Sequence, residues 1–179
     1  MDRKEFIQKA LFSGVVCACG MGAAAAPKIH GQEAAKAEDP ELKSRNDWIK
    51  AFLKNLDSNV EEPVRLRFME ACGRDCAGRG ATRMAEPFRG NVDGLIGKLS
   101  GFLGKDNVKR EGGLVTVRYD QCYCPMVSKI QEKISDTWCV CSKGWVLEMF
   151  GIAADRPVEA KLVQSIKRGD PVCRFEVMV

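Results

Sequence analysis

Apolar side chains recur at helical spacing along residues 41–56. Leu42, Ile49, Phe52, Leu53 and Leu56 make the stripe, with Trp48 beside it. That period predicts an amphipathic helix, broken by Asp57-Ser58-Asn59. Pro63 sits at the first-turn position of a second helix. This helix runs to residue 77 and closes on Gly78-Arg79-Gly80. A third helix spans 91–103, its stripe formed by Val92, Leu95, Ile96, Leu99, Phe102 and Leu103. After Gly112-Gly113 the period drops to two. Residues 114–124 read as a strand with Val115, Val117 and Tyr119 on one face, ended by Pro125. Residues 126–136 are polar and without a period, and 138–141 read as a short strand. A helix over 143–152 carries Trp145, Met149 and Phe150. The chain closes on a hairpin: 157–166 alternates, Lys167-Arg168-Gly169-Asp170 turns, and 172–179 returns with Cys173, Phe175, Val177 and Val179 facing inward. Helices first and paired strands later predict an α+β domain, with N-terminal helices packed on a small antiparallel sheet that ends in a C-terminal β-hairpin.

The N-terminus follows a different pattern. A charged start, Asp2 to Lys9, precedes a charge-free stretch over 10–27 rich in Gly and Ala and ending in Ala23-Ala24-Ala25-Ala26. Residues 1–26 therefore read as an export signal, with cleavage after Ala25 because Pro27 disfavours cleavage just before it. The stretch is too short and too glycine-rich to span a bilayer comfortably. Arg3-Lys4-Glu5-Phe6-Ile7 is similar to the twin-arginine export motif, with Lys in place of the second Arg. That route carries folded, cofactor-loaded proteins. Cys17 and Cys19 are candidate lipidation cysteines, so a lipid or an uncleaved signal would give membrane association. The expected location is the periplasm or the cell surface. Residues 27–40 read as a flexible tether and 41–179 as a single cysteine-rich domain, long enough for its own core. The net charge of +4 comes without a long basic run, which argues against a nucleic-acid partner.

Seven of the nine cysteines fall in the predicted domain, six of them in close pairs: Cys72 and Cys76, Cys122 and Cys124, Cys139 and Cys141, with Cys173 alone. The only histidine, His30, lies in the tether. A site in the domain must use thiolates and carboxylates, which removes common zinc-hydrolase sites and every Cys-His dyad. On strands, residues two apart share a face, so Cys122-Tyr-Cys124 and Cys139-Val-Cys141 on adjacent strands would gather four sulfurs. Four thiolates suit Zn²⁺ or an iron–sulfur cluster. Cross-strand disulfides, such as Cys122 with Cys139, and unpaired thiols are the alternatives. Cys72 and Cys76, four apart on a helix, project from one face, either as two metal ligands or as small core residues. Arg65, Arg74 and Arg79 nearby would favour thiolate. Glu70, Asp75, Asp120 and Glu148 are candidate carboxylates. Trp138, Trp145 and Tyr123 flank the cysteines as pocket or core.

The C-terminal motifs Cys141-Ser-Lys-Gly144-Trp145, Phe150, Pro157-Val-Glu159, Ser165-Ile-Lys-Arg-Gly169-Asp170 and Cys173-Arg-Phe-Glu-Val177 resemble the end of the 4-vinyl reductase domain, a small-molecule-binding module. They also look like the end of the L-2-amino-thiazoline-4-carboxylate hydrolase-like proteins. The resemblance covers about a quarter of the chain. It implies an α+β fold with a pocket between helices and sheet. Sensor members of the first group bind zinc through cysteines and an acidic residue near this hairpin. Cys173 matches the final cysteine, Ser165 stands where a cysteine is common, and Cys139 or Cys141 would have to substitute.

These readings favour an exported domain that binds a small molecule or a metal over an enzyme. The metal, Zn²⁺ or an iron–sulfur cluster, would be held among Cys122, Cys124, Cys139, Cys141, Cys173, Cys72 and Cys76. The alternative is a hydrolase of a small cyclic or sulfur-containing amide, using a cysteine nucleophile or metal-bound water, with Asp120 or Glu148 as base.

Overall fold

The computed structural model describes residues 39–78 and 80–179. The predicted export signal, Cys17, Cys19, His30, most of the tether and Arg79 lie outside the described residues. Helix α1 (Pro40–Asn59) is capped by Asp39, whose carboxylate accepts from the Glu41 N–H. It runs through the Asp57-Ser58-Asn59 triplet that was expected to break it. Helix α2 spans Glu62–Ala77. A short helix α3 (Ala81–Ala85) follows, with one 3₁₀ turn, Glu86–Phe88. It has too few turns to show a period, and the sequence did not mark it. Asn91 caps helix α4 (Val92–Leu103) by accepting from the Gly94 N–H at 2.9 Å. Leu95 and Leu99 of its stripe are buried, but Phe102 stands outside it at 66% exposure.

The sheet has four antiparallel strands in the order β1-β2-β4-β3. Strand β1 (Val108–Glu111) turns through Gly112-Gly113 into β2 (Leu114–Tyr119). β1 exposes three of its four residues, so it lacked an apolar signature. β3 (Glu159–Gln164) and β4 (Cys173–Met178) are the expected hairpin, joined by a 3₁₀ turn, Ile166–Arg168. β4 lies between β3 and β2. Val115 pairs with Val177 and Val117 with Phe175, all four side chains buried. The α+β prediction of helices on a small antiparallel sheet holds.

Two predicted strand segments fold otherwise. β2 ends at Tyr119, so Cys122 and Cys124 lie in the loop beyond it. Residues 138–141 are not a strand but the first turns of helix α5 (Asp136–Ala154). Ser135 caps α5 by accepting from the Thr137 N–H. Nine residues of α5 are buried, including Cys139, Gly144, Val146, Phe150 and Ala153. A helix buried on several sides shows no 3.6-residue stripe, and Cys-Val-Cys then imitates the alternation of a strand.

α5 is the axis of the domain. On one side its residues join Val115, Val117, Phe175 and Val177 of the sheet, together with Leu95 and Leu99, in the main core. On another it meets α2, antiparallel to it. An added Cβ on Gly73 would lie 1.9 Å from the Cys141 carbonyl oxygen, and one on Gly144 would lie 2.0 Å from the Glu70 carbonyl oxygen. The two glycines therefore bring the helix backbones into direct contact. Lys143 to Glu70 at 2.7 Å and Arg74 to Glu148 at 3.4 Å flank the crossing. A smaller apolar cluster of Ile49, Leu53, Val127 and Ile130 packs the 120–134 loop beneath α1. Thr137 ties three helices: it donates to Asp57 at 2.7 Å and accepts from Arg65 at 3.2 Å.

Since both obstructing atoms are backbone, the helices can accept a methyl group only by separating. Gly73→Ala and Gly144→Ala are each expected to cost about 3 kcal/mol of folding stability, measured by urea denaturation. Gly97→Ala, with open space around it, is the control expected to stay within about 0.5 kcal/mol.

Candidate thiol site and adjoining cleft

Because residues 139–141 are helical, Cys139 and Cys141 point to different sides of α5: successive residues turn about 100° on a helix, so positions two apart diverge. This overturns the expected four-sulfur cluster of two facing Cys-x-Cys strands. Each pair is instead divided between two groups.

Cys139 faces the sheet. It lies within electrostatic reach of Cys173 and Cys122, and Cys173 within reach of Cys122. Three elements contribute one sulfur each: the loop after β2, α5 and β4. Two of the sulfurs, those of Cys139 and Cys173, also meet a hydrogen-bond donor. The buried Ser165 hydroxyl donates to Cys139 Sγ at 3.0 Å. The Ile166 N–H donates to Cys173 Sγ at 3.4 Å. The Cys124 backbone partly offsets the rise of the Cys122 thiol. Ser165 is itself fixed, because its N–H donates to Asp170 Oδ2 at 2.8 Å.

Cys141 faces α2 and feels Cys124, Cys76 and Cys72. The Gly73 contact explains this, since Cys72 is adjacent to Gly73 and Cys76 lies one turn along. Cys76 is exposed, while Cys72, Cys124 and Cys141 are half-buried. Cys122 and Cys124 act on each other, so the seven thiols form one chain of neighbours with two centres. All seven are free cysteines, so no disulfide crosses the sheet. Among the described residues, no group of three or more Cys, His, Asp or Glu side chains stands at the separation for holding one ion.

Burial controls the protonation of these thiols. Desolvation pushes Cys139 up to about 12, only partly offset by the Ser165 hydrogen bond. Cys141 rises to about 11, again through burial, with the neighbouring sulfurs adding to it. Cys122 and Cys173 move in the same direction for the same first reason. These four are therefore neutral thiols at physiological pH while no cation is bound, the opposite of an activated nucleophile.

The expected carboxylate partners lie elsewhere. Burial raises the Glu70 carboxyl, but Lys143 and Arg74 outweigh it and hold it below its ordinary value. Glu148 pairs with Arg74. Asp120 pairs with Arg118 at 2.9 Å and accepts from Asn107 at 2.8 Å. Asp75 is exposed on α2. Arg65 is held by Asp57 and the Val60 carbonyl rather than by a thiol. Of the flanking aromatics, Trp138 packs in the smaller core and Trp145 against the main one. Tyr123 is exposed and meets Phe102 at a tilt and Tyr119 edge-on.

Next to the first thiol group lies a cleft of about 750 Å³ between the 120–133 loop and the 166–171 turn. Cys122 and Tyr123 line it, with Lys129, Lys133 and Lys167. Lys167 is the site residue that sequence reasoning missed. It was read only as part of the hairpin turn, and it is 6% exposed. Its ammonium donates to the Ile130 carbonyl and, at 3.4 Å, to the Ser128 carbonyl. Nothing local in Ser-Ile-Lys-Arg-Gly marks that burial, because the acceptors come from a loop nearly forty residues away.

A model of a family of unknown function, DUF6144, matches residues 1–179. That is neither of the families whose closing motifs the C-terminus resembles. No curated protein matches the chain. Among solved structures, the fold is similar to the phenol-responsive sensory domain of the transcription activator PoxR, crystallised with phenol. Identity is 15%, the match covers 74% of this chain and 73% of that one, and the TM-score is 0.46. A likeness of that degree assigns no ligand. The match over all 179 residues does assign the family: this chain belongs to DUF6144.

Proposed function

We propose that this is an exported metal-binding domain whose principal site is formed by Cys122, Cys139 and Cys173. The observation that carries the reading is the approach of three free thiols from three separate elements, with hydrogen-bond donors directed at two of the sulfurs, Cys139 and Cys173. A neutral thiol is a weak acceptor, whereas a metal-bound thiolate accepts such hydrogen bonds strongly, and these outer contacts orient the ligands. Zn²⁺ suits three thiolates with an oxygen in the fourth position. A water would supply that oxygen. An iron–sulfur cluster calls for four cysteines and fits this group less well. Because the three sulfurs do not stand at the separation for holding one ion, a bound ion would have to draw them together. The ion would pin the 120–134 loop, α5 and the closing hairpin together. The raised thiols and the engaged carboxylates, Asp120 and Glu148, favour this binding role over a cysteine-nucleophile hydrolase.

Protein purified under reducing, anaerobic conditions is expected to carry close to one equivalent of zinc by elemental analysis. Cys139→Ser/Cys173→Ser should reduce it to background, while Cys72→Ser/Cys76→Ser should retain it. Wild-type protein that takes up no transition metal even on titration would refute the reading.

The pH dependence has opposite signs in the two forms. In the unfolded chain the thiols titrate near 9.0; in the fold Cys141 and Cys139 titrate near 11 and 12. A raised folded value contributes stability that is complete below the unfolded value and is lost as pH rises through the folded one. The metal-free domain should therefore lose stability between about pH 9 and 12. Metal affinity should instead fall as pH is lowered, because each ligand must release a proton. Denaturant melts of the metal-free protein and zinc competition titrations across pH read the two trends separately.

A further inference from the structure

The cleft beside the thiols carries an uncompensated positive charge. Lys167 lines it and is more than nine-tenths buried. The carbonyls of Ser128 and Ile130 solvate its ammonium but do not neutralise it. Among the described residues, no carboxylate lies within ion-pairing distance of Lys167, Lys129 or Lys133. The two acidic groups nearby are already engaged: Asp120 by Arg118 and Asn107, and Asp170 by the Ser165 N–H and Arg168. Lys133 also attracts Asp170, but only as a minor influence. Gly169 has φ of 108°, and the space where its side chain would project is filled by Lys133. That packing holds the Lys133 stem across the turn at the rim of the cleft. A buried charge without a counter-charge is costly, and an anion entering the cleft would supply one. The remaining walls include Ile130, Ile166, Tyr123 and Pro171, which give the cavity an apolar side as well as a cationic one. Its volume is that of a small organic molecule rather than a bare ion.

We propose that this cleft binds a small organic anion, with its carboxylate or phosphate head on Lys167 and Lys133 and its apolar body against Tyr123, Ile130 and Ile166. The charge comes from lysines, so the proposal does not depend on a metal at the cysteines.

The test is isothermal titration calorimetry of the full chain, at known metal content, with benzoate, its neutral isostere benzamide, phenyl phosphate and inorganic phosphate. At least one of the two aryl anions should bind saturably, more tightly than inorganic phosphate. Benzoate should exceed benzamide by roughly tenfold, the value of one charge-assisted hydrogen bond. Lys167→Met should remove that preference. Because this variant replaces a buried residue, Lys129→Gln/Lys133→Gln, altered only at exposed positions, serves as the second reading and should weaken anion binding severalfold and flatten its salt dependence. Benzamide binding as well as benzoate, absence of binding by both aryl anions, or an unchanged titration in Lys129→Gln/Lys133→Gln would each overturn the proposal. Retained anion binding in the Cys139→Ser/Cys173→Ser protein would separate this site from the metal reading.

Discussion

Backbone contact between α2 and α5, made through Gly73 and Gly144, sets the positions of most groups that carry chemistry in this domain. Each glycine faces a carbonyl oxygen of the other helix, at Cys141 and Glu70, so the contact is reciprocal. Ordinary helix pairs hold their axes about 8–10 Å apart through interleaved side chains. Here the missing side chains allow closer approach, and the flanking ion pairs Glu70–Lys143 and Arg74–Glu148 fix the register. The crossing places Cys72 and Cys76 beside Cys141. It also turns the opposite side of α5, with Cys139, toward the closing hairpin.

The same crossing engages two of the candidate acids. Glu70 and Glu148 are used to hold α2 against α5, and Asp120 secures the end of β2 through Arg118 and Asn107. The groups that donate to the sulfurs or sit beside them as cations are Ser165, the Ile166 N–H and Lys167, while Asp136 and Asp170 act on Cys139 and Cys173 from further off. Such surroundings keep isolated thiols protonated through burial, yet offer donors to them once a cation has displaced their protons.

The cleft and the thiol group share Cys122 and the 166–171 turn, so the short segment after β3 serves both. Ser165 and Ile166 donate to sulfur, Lys167 turns beneath the 128–130 backbone, and Gly169 gives Lys133 its place. This turn is stabilised from within by Asp170, which accepts from Ser165 and pairs with Arg168. A change in the turn would therefore reach both sites at once.

Much of the architecture was legible in the chain itself. Helical periods placed α1 and α4, Pro63 and the Gly78-Arg79-Gly80 stop placed α2, the switch to a period of two after Gly112-Gly113 placed β2, and the alternation around Lys167-Arg168-Gly169-Asp170 placed the closing hairpin. The lack of histidine in the domain limited the expected site to thiolates and carboxylates before any fold was known. The grouping of those thiols was not legible. Whether Cys139 and Cys141 share a face depends on strand or helix, and α5 is buried on too many sides to declare its period. Burial of Lys167 was equally hidden, because its carbonyl partners are supplied by a distant loop. Residue types and local periods are properties of the sequence, and they set the elements and the available chemistry. Which sulfurs meet, and which lysine loses its water, are decided only when α2, α5 and the hairpin pack together.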